Sequence, residues 1–252
     1  MTRHNYLTGY FTLEKFLTIN ISMDAYQQEL ISLFEKYCKG KTVIEIGAFN
    51  GYITEPLSSS EPANLTAVEP NLKMFGILQM RKNLFNCSGD IETGLTPIRV
   101  DNVICSTAND FYSKMQLADV VVCFGVHYHL HSPLHLLELI VNKSKPTTVM
   151  LEPMHEWPGD DIRRSPTGEA TNMITSISQG SWYSYEIFGE PGSAQSDSDI
   201  SNPLKIALHA DASLFIEAMK SLGYSYSPEI TTNSKFDRSG KPSTIGVFTL
   251  TK

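Results

Sequence analysis

No stretch of the 252-residue chain approaches about 18 uninterrupted apolar residues, so no membrane-spanning helix is expected. The opening "MTRHNYLTGYFTLEKF" has no continuous apolar core, so a secretory leader is not expected there. Cysteine is scarce and scattered: Cys38, Cys87, Cys105 and Cys123 form no C-x-x-C pair, which excludes a zinc ribbon or dithiol motif of that kind. A reduced, cytoplasmic setting follows more naturally than a disulfide framework, with Cys105 and Cys123, both in apolar runs, expected as small core residues. Positive charge is in deficit, 20 Lys and Arg against 27 Asp and Glu, for a net charge of -7. That weakens the case for a broad nucleic-acid or anionic-membrane surface.

What is present is an alternation of strand-like and helix-like segments. Apolar residues at Leu30, Ile31, Phe34, Tyr37 and Cys38 keep helical spacing over 22–39, with Gly40 placed to close the helix. "TVIEI" (42–46), "LTAVE" (65–69), "PIRVDNVIC" (97–105), "DVVVCF" (119–124) and "TTVMLE" (147–152) read as strands, the fourth with β-branched residues and a continuous apolar run. Helices are predicted between them, one opened by Ser132 as N-cap and Pro133 at the first turn. A helix over 211–223 and an antiparallel hairpin from "YSYSPEITT" and "STIGVFTLTK" complete the chain. This order predicts an α/β fold with a doubly wound, mostly parallel sheet. One domain is expected, in four parts: an N-terminal helical cap (1–40), a ligand-binding core (41–152), an insertion (153–203), and the closing helix and hairpin (204–252). The insertion holds both tryptophans, Trp157 and Trp182, and its aromatic content favours a folded substrate lid over disorder.

The segment "TVIEIGAFNGYITEPL" (42–57) carries the sharpest chemistry. Dinucleotide binding wants three glycines in G-x-G-x-x-G, but here Phe49 and Tyr52 occupy the second and third positions. No Gly-Lys-Ser/Thr follows, so the phosphate-cradling P-loop fails too. The pattern that does fit is Glu45-x-Gly47-x-x-x-Gly51, an acid inside an apolar strand and two glycines in the loop after it. A charge at Glu45 is costly without a partner. Glycine at 47 and 51 lets the strand-to-helix backbone approach a ligand closely. Glu69 ends the next strand, where an acid can accept both ribose hydroxyls; that position suits NAD as well, and equally suits an acid complementing a helix N-terminus.

These residues, with "DVVVCFGVHYHLHSP" (119–133), resemble class I S-adenosylmethionine-dependent methyltransferases. The run Gly125-Val-x-Tyr128-His129-Leu-x-x-Pro133 resembles in particular the branch containing tRNA wobble-uridine methyltransferase and many small-molecule methyltransferases. The likeness is specific over 42–137, looser to Glu152, and topological beyond. It implies a Rossmann-like seven-stranded sheet with the last strand antiparallel, and S-adenosyl-L-methionine as cofactor. It implies cofactor contacts at Glu45, Gly47, Ala48, Gly51, Glu69 and Pro70, with Phe124, Gly125 and Val126 as the wall beside them. Two departures stand out. Phe49 replaces the usual central glycine, and "CSTAND" lacks the acid that often holds the adenine amino group, leaving Ser106 or Thr107 for it.

Methyl transfer from a sulfonium needs alignment, plus proton removal when the acceptor is a hydroxyl or an ammonium. The ends of the fourth and fifth strands carry His127, His129, Glu152 and His155, and a histidine near neutral pKa suits that task. Loop packing is the alternative role for each. His127, His129 and His131 alternate, but a strand running into a loop and helix does not keep them on one side, so no metal is expected. Glu152, Glu156, Asp160 and Asp161 beside Trp157 suit a cationic or amine acceptor, or else form a solvated acidic loop. The expected activity is methyl transfer to oxygen or nitrogen of a small molecule, by a monomer or homodimer. An RNA or tRNA-base methyltransferase and a non-catalytic sensor or scaffold are the competing readings. The only candidates for a basic face are Lys73, Arg81, Lys82 and Arg163–Arg164.

Overall fold

The computed structural model describes residues 23–87, 95–127, 130, 132–152, 154, 174–178, 181–187, 206–210, 212–231 and 243–251. The first helix, α1 (Ala25–Cys38), begins at Asp24, whose carboxylate accepts from the Gln27 amide while the Gln27 side chain accepts from the Asp24 amide. This reciprocal pair satisfies two of the orphan donors of the first turn. Gly40, at φ 67°, ends the helix in the left-handed conformation that glycine adopts without strain.

The chain then alternates: β1 (Thr42–Ile46), α2 (Thr54–Ser59), β2 (Asn64–Val68), α3 (Leu72–Phe85), β3 (Asn102–Ile104), α4 (Ala108–Phe111), β4 (Val120–Phe124), α5 (Pro133–Ser144) and β5 (Thr148–Glu152). After three further strands come α6 (Ala212–Ser221) and the hairpin β9 (Tyr224–Thr231) and β10 (Ser243–Leu250). The main sheet has seven strands in the order β3-β2-β1-β4-β5-β10-β9. All neighbours run parallel except those of β10, which is antiparallel to β5 and β9. The order reverses between β1 and β4, and in open α/β sheets ligands bind at such a point beyond the carboxyl ends of the strands.

Alternation along the strands splits the core in two. Ile44, Ile46, Val121 and Cys123 face the α5 and α6 side. Val43, Val122 and Phe124 face the α1 side, where Phe34 meets Phe124 with ring centroids 5.8 Å apart. Period two places Glu45 on the α1 side with Val43.

Four features differ from the sequence expectation. The third strand is Asn102–Ile104 rather than 97–105; Ile98 and Val100 are buried in the extended approach to it. Cys105 lies past the strand end and is exposed, whereas Cys123 is buried as expected. Ser132 and Pro133 open α5 in the predicted order, yet the Ser132 hydroxyl makes no capping bond among the described residues. The region after β5 also holds a second, three-stranded antiparallel sheet of order β6-β7-β8: β6 (Ile174–Ser178), β7 (Ser181–Ile187) and β8 (Ile206–Ala210). Among the described residues, no helix is long and apolar enough to cross a membrane.

Candidate functional site

The loop after β1 coils through three left-handed residues: Gly47 at φ 78°, Phe49 at 51° and Gly51 at 89°. Only Phe49 carries a side chain there, at a cost of about 1 kcal/mol, and its ring is 51% exposed at the rim. Val68 draws the loop over β2 by accepting from the Gly47 and Ala48 amides, at 2.9 and 3.1 Å. A Cβ at position 47 would stand 2.1 Å from Val126 Cγ2, so this glycine is what lets the β1 and β4 loops meet. At position 51 a Cβ would stand 2.9 Å from Arg81 Nη1 and 3.0 Å from Leu78 Cδ1. The room that the two glycines leave is thus used by the protein's own side chains.

Two acids sit at the strand tips. Glu69 accepts from the Phe49 amide on one oxygen and from the Asn71 amide on the other, both at 2.8 Å, and so pins the β1 loop to the start of α3. Burial pushes its carboxyl up, against the pull of those two amides. Each of its oxygens keeps a second lone pair for a ligand hydroxyl. Glu45 is 2% exposed; one oxygen accepts from Thr54 Oγ1 at 2.7 Å, while the other has no hydrogen bond among the described residues. Burial drives its pKa up to about 7; the Thr54 hydroxyl opposes this, nearby Glu69 adds to it, and Arg81 opposes it. Asn50 Oδ1 is likewise buried without a partner among the described residues. Each is an acceptor lacking a donor among the described residues, of the kind that the ammonium end of a zwitterionic ligand would supply.

The remaining sequence candidates fall into distinct groups. Pro70 lies in the turn after Glu69, and its carbonyl is 3.9 Å from Cys105 Sγ. Ser106 Oγ donates to the Thr107 carbonyl at 3.0 Å. Thr107 caps α4: its hydroxyl accepts from the Asp110 amide at 3.1 Å and donates to the Asp110 carboxylate at 2.8 Å. Thr107 is therefore engaged in its own helix, and Ser106 is the freer hydroxyl. Phe124 is buried beneath the site, and Gly125, at φ 70°, donates to the Glu152 carbonyl at 2.8 Å.

Among the acid–base candidates, His127 is buried and meets the Phe215 ring of α6 edge-on at 4.9 Å. Glu152 is fully buried and accepts a hydrogen bond from the Tyr26 phenol of α1. His129 and His155 lie outside the described residues, as do His131, Glu156, Trp157, Asp160 and Asp161. His135 is on the surface beside Glu138, 3.5 Å away. Among the described residues no group of His, Cys, Asp and Glu could hold a metal ion.

The sequence reading did not single out the polar lining from α1. Tyr52 donates to Asp24 at 2.7 Å, its carbonyl accepts from Gln27 Nε2 at 2.6 Å, and its ring stacks on Tyr26 at 6.3 Å. The Asp24-x-x-Gln27 capping pattern was the available signal. Arg81, expected on a basic face, is instead buried and paired with Glu55. It lies three and four residues from Leu78 and Ile77, on the apolar stripe of α3, and that spacing was the signal.

A model of the family described as "Methyltransferase domain" matches residues 21–164, more than half of the chain. The tRNA U34 carboxymethyltransferase of Desulfotalea psychrophila is 25% identical over 122 residues, 48% of this chain and 35% of that protein. The enzyme of the same name from Campylobacter lari is 27% identical over 143 residues, 56% of this chain and 42% of that protein. The aligned stretch thus spans well under half of either relative. Among solved structures, the N-terminal domain of EvdMO1 with SAH bound superposes with a TM-score of 0.58 at 14% identity, covering 91% of this chain and 83% of that one. Magnesium protoporphyrin IX methyltransferase from Synechocystis PCC 6803 with bound SAM gives 0.53 at 12%, covering 89% and 78%. The N-methyltransferase NodS from Bradyrhizobium japonicum WM9 gives 0.54 at 12%, covering 92% and 100%. At these identities the structural likeness speaks to the fold.

Proposed function

The chain belongs to the class I S-adenosylmethionine-dependent methyltransferases, and from that premise we propose that it methylates oxygen or nitrogen of a small-molecule acceptor. The observation that supports the pocket most directly is Glu45, a buried acid at the β1 tip with one carboxylate oxygen left open among the described residues. Bound there, S-adenosyl-L-methionine supplies a methyl group on a good sulfonium leaving group. Glu45 would hold the ammonium end, directly or through water, and Glu69 would accept the ribose hydroxyls on its remaining lone pairs. Gly47, Ala48, Gly51 and Pro70 shape the cradle, Gly125 and Val126 form its wall above Phe124, and Ser106 or a backbone carbonyl near Thr107 receives the adenine amino group.

The acceptor's proton goes to a group at the β4 and β5 tips, from the set His127, His129, Glu152 and His155. The insertion over 153–203 serves as the acceptor lid, and its acids and Trp157 favour a cationic or amine acceptor. Transfer to a tRNA base is the second reading, favoured by the named activity of the two curated relatives. Against it stand the net charge of -7 and the burial of Arg81, which removes one cation from an already thin basic set.

Incubation with S-adenosyl-L-methionine and separate pools of small hydroxyl compounds, small amines and unmodified tRNA tests both readings. S-adenosylhomocysteine release with a small-molecule pool is the expected result. Release only with tRNA would transfer the proposal to the second reading, and cofactor binding without release in any arm would favour a sensor.

A further inference from the structure

Arg81 of α3 places a guanidinium in the interior behind the cofactor loop, 4% exposed. Its Nε donates to the Thr96 carbonyl at 2.8 Å and its Nη1 to the Asn50 carbonyl at 3.1 Å. Its Nη2 pairs with the Glu55 carboxylate of α2, itself buried. Three groups from three separate segments therefore converge on one planar fork, which an ammonium cannot serve in the same way. The glycine at 51 is required by this same group, since a Cβ there would lie 2.9 Å from Nη1.

We propose that Arg81 is a positioning residue for cofactor binding: through the Asn50 carbonyl and the Glu55 pair it holds the 47–51 loop in its coiled, binding-competent shape. It touches no reacting atom. Of the three left-handed residues only Phe49 carries a side chain and so is strained, and strain persists where the surroundings over-determine it. Arg81 supplies that determination from behind, as Glu69 does from the front through the Phe49 amide. It also lies near enough to favour the ionised form of Glu45, so one side chain supports both the shape and the charge of the pocket.

The inference rests on the cofactor reading, and the test separates the two. Replacing both members of a buried ion pair by apolar residues often leaves stability intact. The double variant R81M/E55M keeps the volume filled but loses the bond to the Asn50 carbonyl. R81K keeps a charge for Glu55 but not the fork. Hydrogen exchange of the ligand-free proteins, read at amides 47–54, is expected to quicken by about tenfold in both variants, with exchange in β4 and β5 unchanged. Calorimetric titration with S-adenosyl-L-homocysteine is expected to show Kd weakened by about tenfold or more, at a melting temperature within a few degrees of wild type. A folded variant with wild-type loop exchange and wild-type Kd would overturn the inference. So would failure of both variants to fold, because the pair would then hold the fold itself. If wild type itself does not bind the ligand, the cofactor reading fails while the exchange result still judges the role of Arg81 in the loop.

Discussion

The two halves of the sheet's carboxyl edge are built differently. At the β1–β2 half, the acids are tied to near neighbours in the chain: Glu69 to the amides of Asn71 and Phe49, Glu45 to Thr54. At the β4–β5 half, the corresponding side chains are tied across the whole chain. Glu152 meets Tyr26, 126 residues away, and His127 meets Phe215. A half assembled from local bonds has its chemistry written in short segments of the chain. A half assembled from distant bonds takes its character from whichever elements pack over it, here α1 and α6.

Gly47 against Val126 is where the loops of the two halves meet most closely, and breaking that contact should have the largest effect. Gly47→Ala forces a Cβ to 2.1 Å from Val126 Cγ2 at a φ of 78°. Overpacking together with left-handed strain is expected to cost about 3 kcal/mol in chemical denaturation, with partial recovery in the double variant with Val126→Ala. Full recovery would show that the clash alone, and not the backbone, makes glycine necessary.

Next comes the long-range bond. Tyr26→Phe removes the phenol donor from a fully buried carboxylate and is expected to cost about 2 kcal/mol in thermal or chemical melts. A cost near zero would mean that α1 is held to the β5 tip by packing alone.

The local half is sharpened by pH. The Glu45 pKa, about 7 in the folded state against an ordinary 4.5, means that the folded protein holds this proton more tightly than the unfolded chain. Stability from this group is therefore full below about pH 4.5 and declines as pH rises towards 7, by of order 3 kcal/mol. Glu69 and Arg81 are the other charges acting on it. A cationic ligand end at Glu45 favours the carboxylate, so affinity should rise with pH through about 7 and proton release should accompany binding. Glu45→Gln should flatten both trends, in melts and in titrations across pH 6 to 8; a profile unchanged by that substitution would remove Glu45 from the site.

The smallest effect concerns thiols. Burial pushes Cys38 and Cys123 up to about 12, whereas Cys87 and Cys105 are exposed. Alkylation of the native protein should label Cys87 and Cys105 with little change in melting temperature, and Cys38 and Cys123 only after unfolding.

Much of the fold was legible because its signals are local. Apolar runs gave β1, β2, β4 and β5 to within a residue or two, and Gly40 marked the end of α1, whereas its start at Asp24 was placed two residues early. Cys105 misled because its apolar neighbours include Ile98 and Val100, which are buried in an extended approach rather than in the ladder. The second sheet escaped notice because Gly, Ser and Pro clusters around Trp182 conceal short strands that pair with one another. Of the candidate site, Glu45 could be read as an acid inside an apolar strand and Glu69 as an acid ending the next. Arg81 was missed: its spacing from Ile77 and Leu78 marks burial, but its pairing becomes visible only once the loop and Glu55 close around it. Tyr26 had no local signal, because its partner lies at the far end of the core.

The central claim is a nucleoside cradle at the tips of β1 and β2, and equilibrium dialysis of radiolabelled S-adenosyl-L-methionine against wild-type and Glu69→Ala protein tests it most directly. Saturable binding to wild type at one site per chain, weakened about tenfold or more by the substitution, is expected. Retention no better than buffer by folded wild-type protein, or equal retention by both proteins, would contradict it.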